Sequence, residues 1–157
     1  RKLEPVQDGF PGIRLILLHS LSHALMRQIV LDCGYTASSV RERLYSRNPG
    51  EEGGPIAGIL LYTAAPDSEG TLGGLVELGD PLTLGRHLQQ ALESMRLCAS
   101  DPLCSEHRPD TLGRGIHGAC CHACQFAAET SCERGNRYLD RSVLVDTFSA
   151  RGTAFFE

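Results

Sequence analysis

The feature that most constrains this chain is a group of six cysteines between Cys98 and Cys132, out of seven in the whole sequence. Their spacing is C-x5-C-x15-CC-x2-C-x7-C. A two-residue gap, such as that between Cys121 and Cys124, lets a tight turn direct both sulfurs toward one centre, as in tetrahedral zinc-thiolate sites. The pattern therefore predicts a structural zinc site in the C-terminal third of the chain.

The group contains more thiols than the four that a structural zinc needs. Cys120 adjoins Cys121, and one peptide unit does not easily present both sulfurs to an ion that Cys124 also binds. Cys98 is only an alternative ligand, because it lies at the predicted end of a helix, where its side chain can instead be buried in the core. We therefore expect one structural Zn²⁺ bound by four cysteines: Cys104, Cys121, Cys124 and Cys132.

Two other functions remain as alternatives. A thiol redox protein can use a C-x2-C pair, but here the pair does not follow a first strand and open a helix. A metal-dependent nuclease-like enzyme could use His19 and His23, four residues apart, or the loop acids Asp67 and Glu69. No glutamate follows His19 as the zinc-protease pattern requires, and histidines on so apolar a helix are more often buried core residues. We expect no catalytic residue in this chain.

Hydrophobic periodicity and capping signals predict an α/β fold, a small mixed helix-strand core with a C-terminal zinc-binding subdomain built on four cysteines. The expected elements are a buried helix over 13–33, a helix from Ser39 to about Tyr45 with a capping box, a strand over 56–63, a short helix over 71–78, a helix over 81–97 capped by Asp80, and a last helix over 136–148. One compact domain should then comprise an N-terminal linker (1–12), the α/β core (13–97) and the zinc-binding segment with the last helix (98–157). Because it begins at Arg1, we expect the chain to be a fragment of a longer protein.

Charge and hydropathy narrow the possible partners. The net charge is −4, and the basic residues, Lys2 and fourteen arginines, are spread along the chain, which disfavours nucleic-acid binding by charge alone. The apolar stretch 13–31 is interrupted by arginines and histidines, so we expect no membrane span, and the absence of a signal-peptide pattern favours the cytoplasm.

Three arginines at helical spacing after Cys132 could share one face and bind DNA phosphates or a partner's carboxylates, with only weak DNA binding by the chain alone: Arg134, Arg137 and Arg141.

Several segments carry a family resemblance, in order and over nearly the whole chain: LHSLSHALMRQI, GYTASSVRERLY, GILLYTAAPDSEGTLGGL, CASDPLC and GACCHACQFAAETSCERGNRYLDR. Together they resemble the C-terminal zinc-binding domain of Mrf-type superfamily 2 helicases, in particular the version in the helicase-partner subunit of the DISARM phage-defence system. The resemblance implies one structural zinc bound through the CASDPLC, CHAC and TSCE segments, which contain Cys98 or Cys104, Cys121, Cys124 and Cys132. It also implies work on DNA beside a helicase subunit or domain, in repair or in antiviral defence. The chain has no helicase motifs, so any ATPase belongs elsewhere in the parent protein or to a partner.

Overall fold

A long buried helix forms the centre of the structure. The computed structural model describes residues 10–63, 74–108 and 117–157. Helix α1 (Ile13–Cys33) buries residues on several sides, among them Leu15, His19, His23, Ala24, Met26 and Ile29. It ends at Gly34, whose φ of 69° is the left-handed conformation that glycine adopts without steric cost. The predicted position, bounds and end of this helix are confirmed.

Two antiparallel strands pack against α1. Strand β1 (Val40–Arg47) pairs with β2 (Ile56–Thr63) in a register that places Val40 opposite Thr63 and Arg47 opposite Ile56. The prediction of β2 is confirmed, whereas the helix expected from Ser39 is wrong. Ser39 Oγ donates to Thr36 O at 2.8 Å instead of capping a helix, and alternate residues of β1 point inward. Because the inward residue at the centre of that alternation is Glu42, the strand periodicity was hidden in the sequence.

A second long helix lies against α1. A short helix, α2 (Gly74–Glu77), precedes α3 (Pro81–Arg96), and Asp80 Oδ1 accepts the N–H groups of Leu82 and Thr83 at 3.1 and 3.2 Å. This is the predicted helix with its predicted cap. The helix expected over 71–78 is present only as the four residues of α2 within the described part of the chain.

In the described residues of the C-terminal third, 103–108 and 117–157, turns predominate and no long helix or strand is present. Helix α4 (Leu103–Glu106) follows α3, and a single 3-10 turn spans Arg141–Val143. The helix expected over 136–148 is wrong. Asn136 and Tyr138 have φ of 59° and 61°, outside the helical region, and the Asn136 side chain is bonded to the N–H and carbonyl of Ala127, each at 3.0 Å. These local polar contacts replace the helical hydrogen bonds.

The buried apolar residues of the described part of the chain form three groups, two of which include residues of α1. One joins α1 to α3 and the C-terminal segment through Ala24, Ala91, Met95, Leu144 and Val145. A second joins the end of α1 to the hairpin, and a third contains Cys104, Cys120, Cys124 and Leu139. Residues of the predicted α/β core (13–97) and of the predicted zinc-binding segment (98–157) therefore contribute to a common hydrophobic core. The fold class, a mixed helix-strand core with a C-terminal cysteine cluster, is as predicted.

Among the described residues, no helix combines the length and the apolar character needed to cross a lipid bilayer. The N-terminal linker expected over 1–12 and the loop containing Asp67 and Glu69 lie wholly or mostly outside the described residues.

Candidate metal centre

Four cysteine sulfurs converge at the end of α3. Cys98 and Cys121 Sγ are 3.6 Å apart, Cys104 and Cys124 Sγ 3.6 Å, and Cys121 and Cys124 Sγ 3.8 Å. All four sulfurs lie within 4.8 Å of one another. A tetrahedral ion with Zn–S bonds near 2.3 Å requires ligand sulfurs about 3.8 Å apart. The group therefore has the donor chemistry and the spacing of a closed zinc-thiolate site.

A helix end, a short helix and a turn position these four sulfurs. Cys98 follows the last turn of α3, Cys104 lies in α4, and the turn that carries Cys121 and Cys124 closes through Gln125 N–H donating to Cys121 O at 2.9 Å. Backbone N–H groups also point at sulfur: Ser100 donates to Cys98 Sγ at 3.4 Å, and Cys121 donates to Cys124 Sγ at 3.3 Å. N–H groups in these positions also stabilise a sulfur that is bound to a metal.

The electrostatics of the group also favour a cation. Burial raises the pKa of Cys104 to about 11 and raises that of Cys124 further. Burial acts against ionisation at Cys121 too, but hydrogen bonds from the Ala123 backbone and from the neighbouring thiols lower its pKa to about 7. Several buried thiolates cannot coexist at neutral pH without a compensating positive charge, and a divalent ion supplies it.

An ion pair supports the loop between Cys98 and Cys104. Asp101 Oδ2 accepts the N–H of Cys98 at 2.9 Å, and Asp101 Oδ1 lies 2.6 Å from the Arg141 guanidinium. Arg141 is fully buried and also donates to the carbonyls of Met95 and Arg96 at 2.7 and 3.2 Å. It thus satisfies the C-terminal carbonyls of α3 and fixes the loop that presents two of the four sulfurs.

The structure separates the four cysteines that we expected to act together. Cys104, Cys121 and Cys124 are in one group, but the fourth sulfur there belongs to Cys98, and Cys132 lies elsewhere. Cys120 packs in the same core, where burial raises its pKa, yet it is not a member of the sulfur group. Cys98, the alternative ligand, therefore occupies the position in this group that was expected for Cys132.

Cys132 belongs to a second buried group with His19, His23 and Glu42. His19 Nε2 lies 3.1 Å from Cys132 Sγ and 3.1 Å from Glu42 Oε1, and His23 Nε2 lies 3.3 Å from the same carboxylate oxygen. All four residues are buried. The histidines were singled out by their spacing and interpreted as core residues. Glu42 was missed as a site residue, because only the strand register shows that its side chain points inward.

Burial opposes the charged form of every group in this second cluster, and hydrogen bonds among its members outweigh burial. They raise the pKa of His23 to about 9, through contacts with Cys132 and Glu42, and they hold the pKa of Glu42 well below its usual range. They also lower the pKa of Cys132 to about 7. The cluster therefore stabilises negative charge on Glu42 and Cys132.

The arginine face expected after Cys132 does not form. Arg134 and Arg137 are exposed, but they lie in turns rather than on a helix. Arg141 is buried and paired with Asp101, so it is not available on the surface. The change from a helix to turns separates these residues, and Arg141 has a structural contact in place of the expected partner.

The mixed fold and the four-sulfur group define a zinc-binding domain. The chain belongs to the MrfA Zn-binding domain family, whose model matches residues 21–125. It is also similar to the DISARM protein DrmB of Bacillus paralicheniformis (strain ATCC 9945a / NCIMB 11709 / CD-2), with 42% identity over 142 residues. That alignment covers 90% of this chain and 24% of the relative, so the chain spans about a quarter of the relative's length. The resemblance and the zinc cofactor inferred from the sequence are confirmed.

Proposed function

We propose that this domain is a non-enzymatic structural zinc module of a helicase-associated DNA-processing or phage-defence protein, in which it stabilises the assembly and aids engagement of DNA. The observation that carries the proposal is the group of four sulfurs at tetrahedral spacing. The similarity to the DISARM protein DrmB supports the defence context.

In this proposal the zinc ligands are four cysteines from both sides of the region 109–116: Cys98, Cys104, Cys121 and Cys124. Two observations support this set over one containing Cys132. The sulfur distances fit one ion, and the family match over 21–125 includes these four cysteines and ends before Cys132. The ion joins the end of α3 and α4 to the turn that carries Cys121 and Cys124. Zinc binding of this type contributes on the order of 10 kcal/mol to folding.

Metal analysis of purified variants tests the ligand set. Cys98→Ser and Cys104→Ser should each lower the zinc content by one ion per chain and lower the melting temperature. Cys33→Ser is the matched control, because Cys33 lies at the end of α1 and outside both metal-ligand groups. Retention of that ion in the Cys98 variant would exclude Cys98 and return Cys132 to consideration.

The role of the module in DNA engagement is expected to depend on the larger protein. The net charge of −4 keeps the affinity of the chain alone low, and the exposed arginines Arg134 and Arg137 remain as candidates for contact with phosphates or with a partner's carboxylates. Leu97 and Leu103, each 78% exposed beside the sulfur group, offer apolar surface for the helicase subunit or domain.

Binding measured in the intact assembly tests this role. The Arg134→Ala/Arg137→Ala variant should bind DNA or the partner more weakly, with a smaller salt dependence and an unchanged zinc content. Arg86→Ala, an exposed arginine on α3, is the control for loss of one surface charge. Unchanged binding in the double variant would leave a module with a purely structural role.

Of the two candidate centres for a metal-dependent nuclease, the structure disfavours the pair His19 and His23. His19 and His23 are fully buried, so a DNA phosphate cannot reach them. The thiol redox alternative is disfavoured because Cys121 and Cys124 share one centre with two further thiols. Incubation of the protein with DNA and Mg²⁺ tests the remaining centre at Asp67 and Glu69. We expect no cleavage.

A further inference from the structure

The second buried cluster, formed by His19, His23, Glu42 and Cys132, is separate from the four-sulfur group and has no role in the function proposed above. Its members come from three distant parts of the chain: α1, β1 and the turn after Ser131. Each offers one ligand atom, and these atoms lie within 4.8 Å of one another. Nitrogen, carboxylate oxygen and thiolate sulfur are the three donor types that zinc uses in proteins.

The distances fit a single tetrahedral ion. With Zn–N and Zn–O bonds near 2.0–2.1 Å and a Zn–S bond near 2.3 Å, neighbouring ligand atoms lie about 3.3–3.6 Å apart. The observed separations are 3.1 Å from His19 Nε2 to Cys132 Sγ, 3.1 Å from His19 Nε2 to Glu42 Oε1, and 3.3 Å from His23 Nε2 to Glu42 Oε1. Small outward movements of these side chains would accommodate the ion.

Neighbouring backbone groups orient the donor atoms toward the centre. The carbonyl of Gln125 can only accept, so its 2.8 Å contact with His23 Nδ1 keeps a proton on Nδ1. Nε2, which faces the cluster, is therefore the nitrogen that can bind a metal once its own proton is displaced. The sulfur of Cys132 accepts the N–H of Asn136 at 3.1 Å and that of Arg134 at 3.4 Å. The positive φ of Gly135 and Asn136 folds the chain back so that the Asn136 amide reaches this sulfur.

One carboxylate atom of the cluster lacks a partner. Glu42 Oε1 contacts both histidines and accepts the N–H of Glu133 at 3.2 Å, whereas the buried Glu42 Oε2 has no hydrogen-bond partner. An unpartnered buried carboxylate oxygen is costly. A bound cation would compensate that cost.

The charges also balance. On metal binding each histidine loses its Nε2 proton. The two neutral imidazoles, one carboxylate and one thiolate that then surround the ion carry a total charge of −2, which a divalent ion neutralises inside this buried site. We propose that His19, His23, Glu42 and Cys132 bind a second zinc ion in a closed tetrahedral site. This ion joins α1 to β1 and to the turn at Cys132.

The metal content and coordination of the wild-type protein test this proposal without any substitution. The purified 157-residue protein, loaded with excess Zn²⁺ and then desalted, should retain two zinc ions per chain. X-ray absorption at the zinc edge should then show, per ion, about 2.5 sulfur and about 1.5 nitrogen or oxygen ligands, the average of an all-sulfur site and a site with two nitrogens, one oxygen and one sulfur. One retained ion with only sulfur ligands would overturn the second site and leave the first intact. One ion with mixed ligands would instead overturn the four-cysteine site of the proposed function.

Substitutions then assign the second ion to its ligands. Cys132→Ser and His23→Gln should each lose one zinc per chain, and the remaining ion should have an all-sulfur shell. His87→Gln is the matched control, since His87 is a buried histidine on α3 that contacts Asp32 at 2.8 Å, away from the cluster. It should retain both ions. Retention of two ions in folded Cys132→Ser and His23→Gln proteins would refute the proposed ligands. If either variant does not fold, the wild-type spectrum still decides between one site and two.

Discussion

Replacing the buried Arg141 with alanine should destabilise the domain by about 3–5 kcal/mol, the usual cost of removing one partner of a buried ion pair. The side chain is fully buried, and its loss leaves the Asp101 carboxylate, 2.6 Å away, and the carbonyls of Met95 and Arg96 without their donor. Charge-assisted hydrogen bonds each contribute about 1.5–3 kcal/mol, so loss of two of the three bonds of Arg141 already gives a destabilisation of this size. Because Asp101 also accepts the N–H of Cys98, zinc affinity should fall together with stability.

Urea unfolding at a fixed free zinc concentration measures the change in stability, and competition with a chelator measures the change in affinity. Arg141→Lys should lie between the wild type and the alanine variant, because an ammonium keeps the charge but cannot contact Asp101 and two carbonyls with a planar fork. Arg137→Ala, an exposed control, should change stability by at most about 0.5 kcal/mol. A loss below about 1 kcal/mol for Arg141→Ala would refute the role of Arg141 in supporting the sulfur group.

Acidification has a predictable sign for the same ion pair. Burial would raise the pKa of Asp101, but the Cys98 N–H and the Arg141 guanidinium lower it below its ordinary value. A carboxyl whose pKa is lowered by folding contributes stability that is present above its unfolded pKa and is lost as the pH falls through its folded pKa. The stability difference between wild type and Asp101→Asn should therefore be constant near neutral pH and shrink below about pH 4.

Three further predictions concern metal release, the Asn136 turn and the α3 cap. Burial raises the pKa of Cys104 to about 11, so zinc binding to the four-sulfur group should release protons at neutral pH. The zinc affinity should therefore rise about tenfold or more per pH unit near neutrality. Calorimetry in two buffers of different ionisation enthalpy counts the released protons. Asn136→Ala should lower the free energy of unfolding in urea by about 1–3 kcal/mol, because both backbone groups of Ala127 lose their hydrogen-bond partner. Asn136→Gly should lower it by a smaller amount, because glycine tolerates the positive φ but still lacks the side-chain amide. Asp80→Ala should cost about 1 kcal/mol and Asp80→Asn much less, and equal losses in the two variants would contradict the capping role.

The sequence predicted the elements whose causes are local. Apolar positions at helical spacing and a following glycine were sufficient to predict α1, an apolar run between turn residues predicted β2, and Asp80 with Pro81 predicted the start of α3. The C-x2-C spacing likewise predicted Cys121 and Cys124 as members of one centre. Each of these signals depends on residues within a few positions of one another, so the chain path did not need to be known.

Only the tertiary structure decided which residues meet across the fold. Sequence spacing favoured Cys132 over Cys98 as the partner of Cys104, whereas the path of the chain after α3 places Cys98 beside it. Glu42 was expected to belong to a helix capping box and Arg141 to an exposed helix face. The strand register instead turns Glu42 toward the histidines of α1, and the end of α3 encloses Arg141. Charged residues normally remain in solvent, and they enter a core only where distant groups supply opposite charge or hydrogen bonds. Those partners are distant in sequence, so only the folded chain shows them.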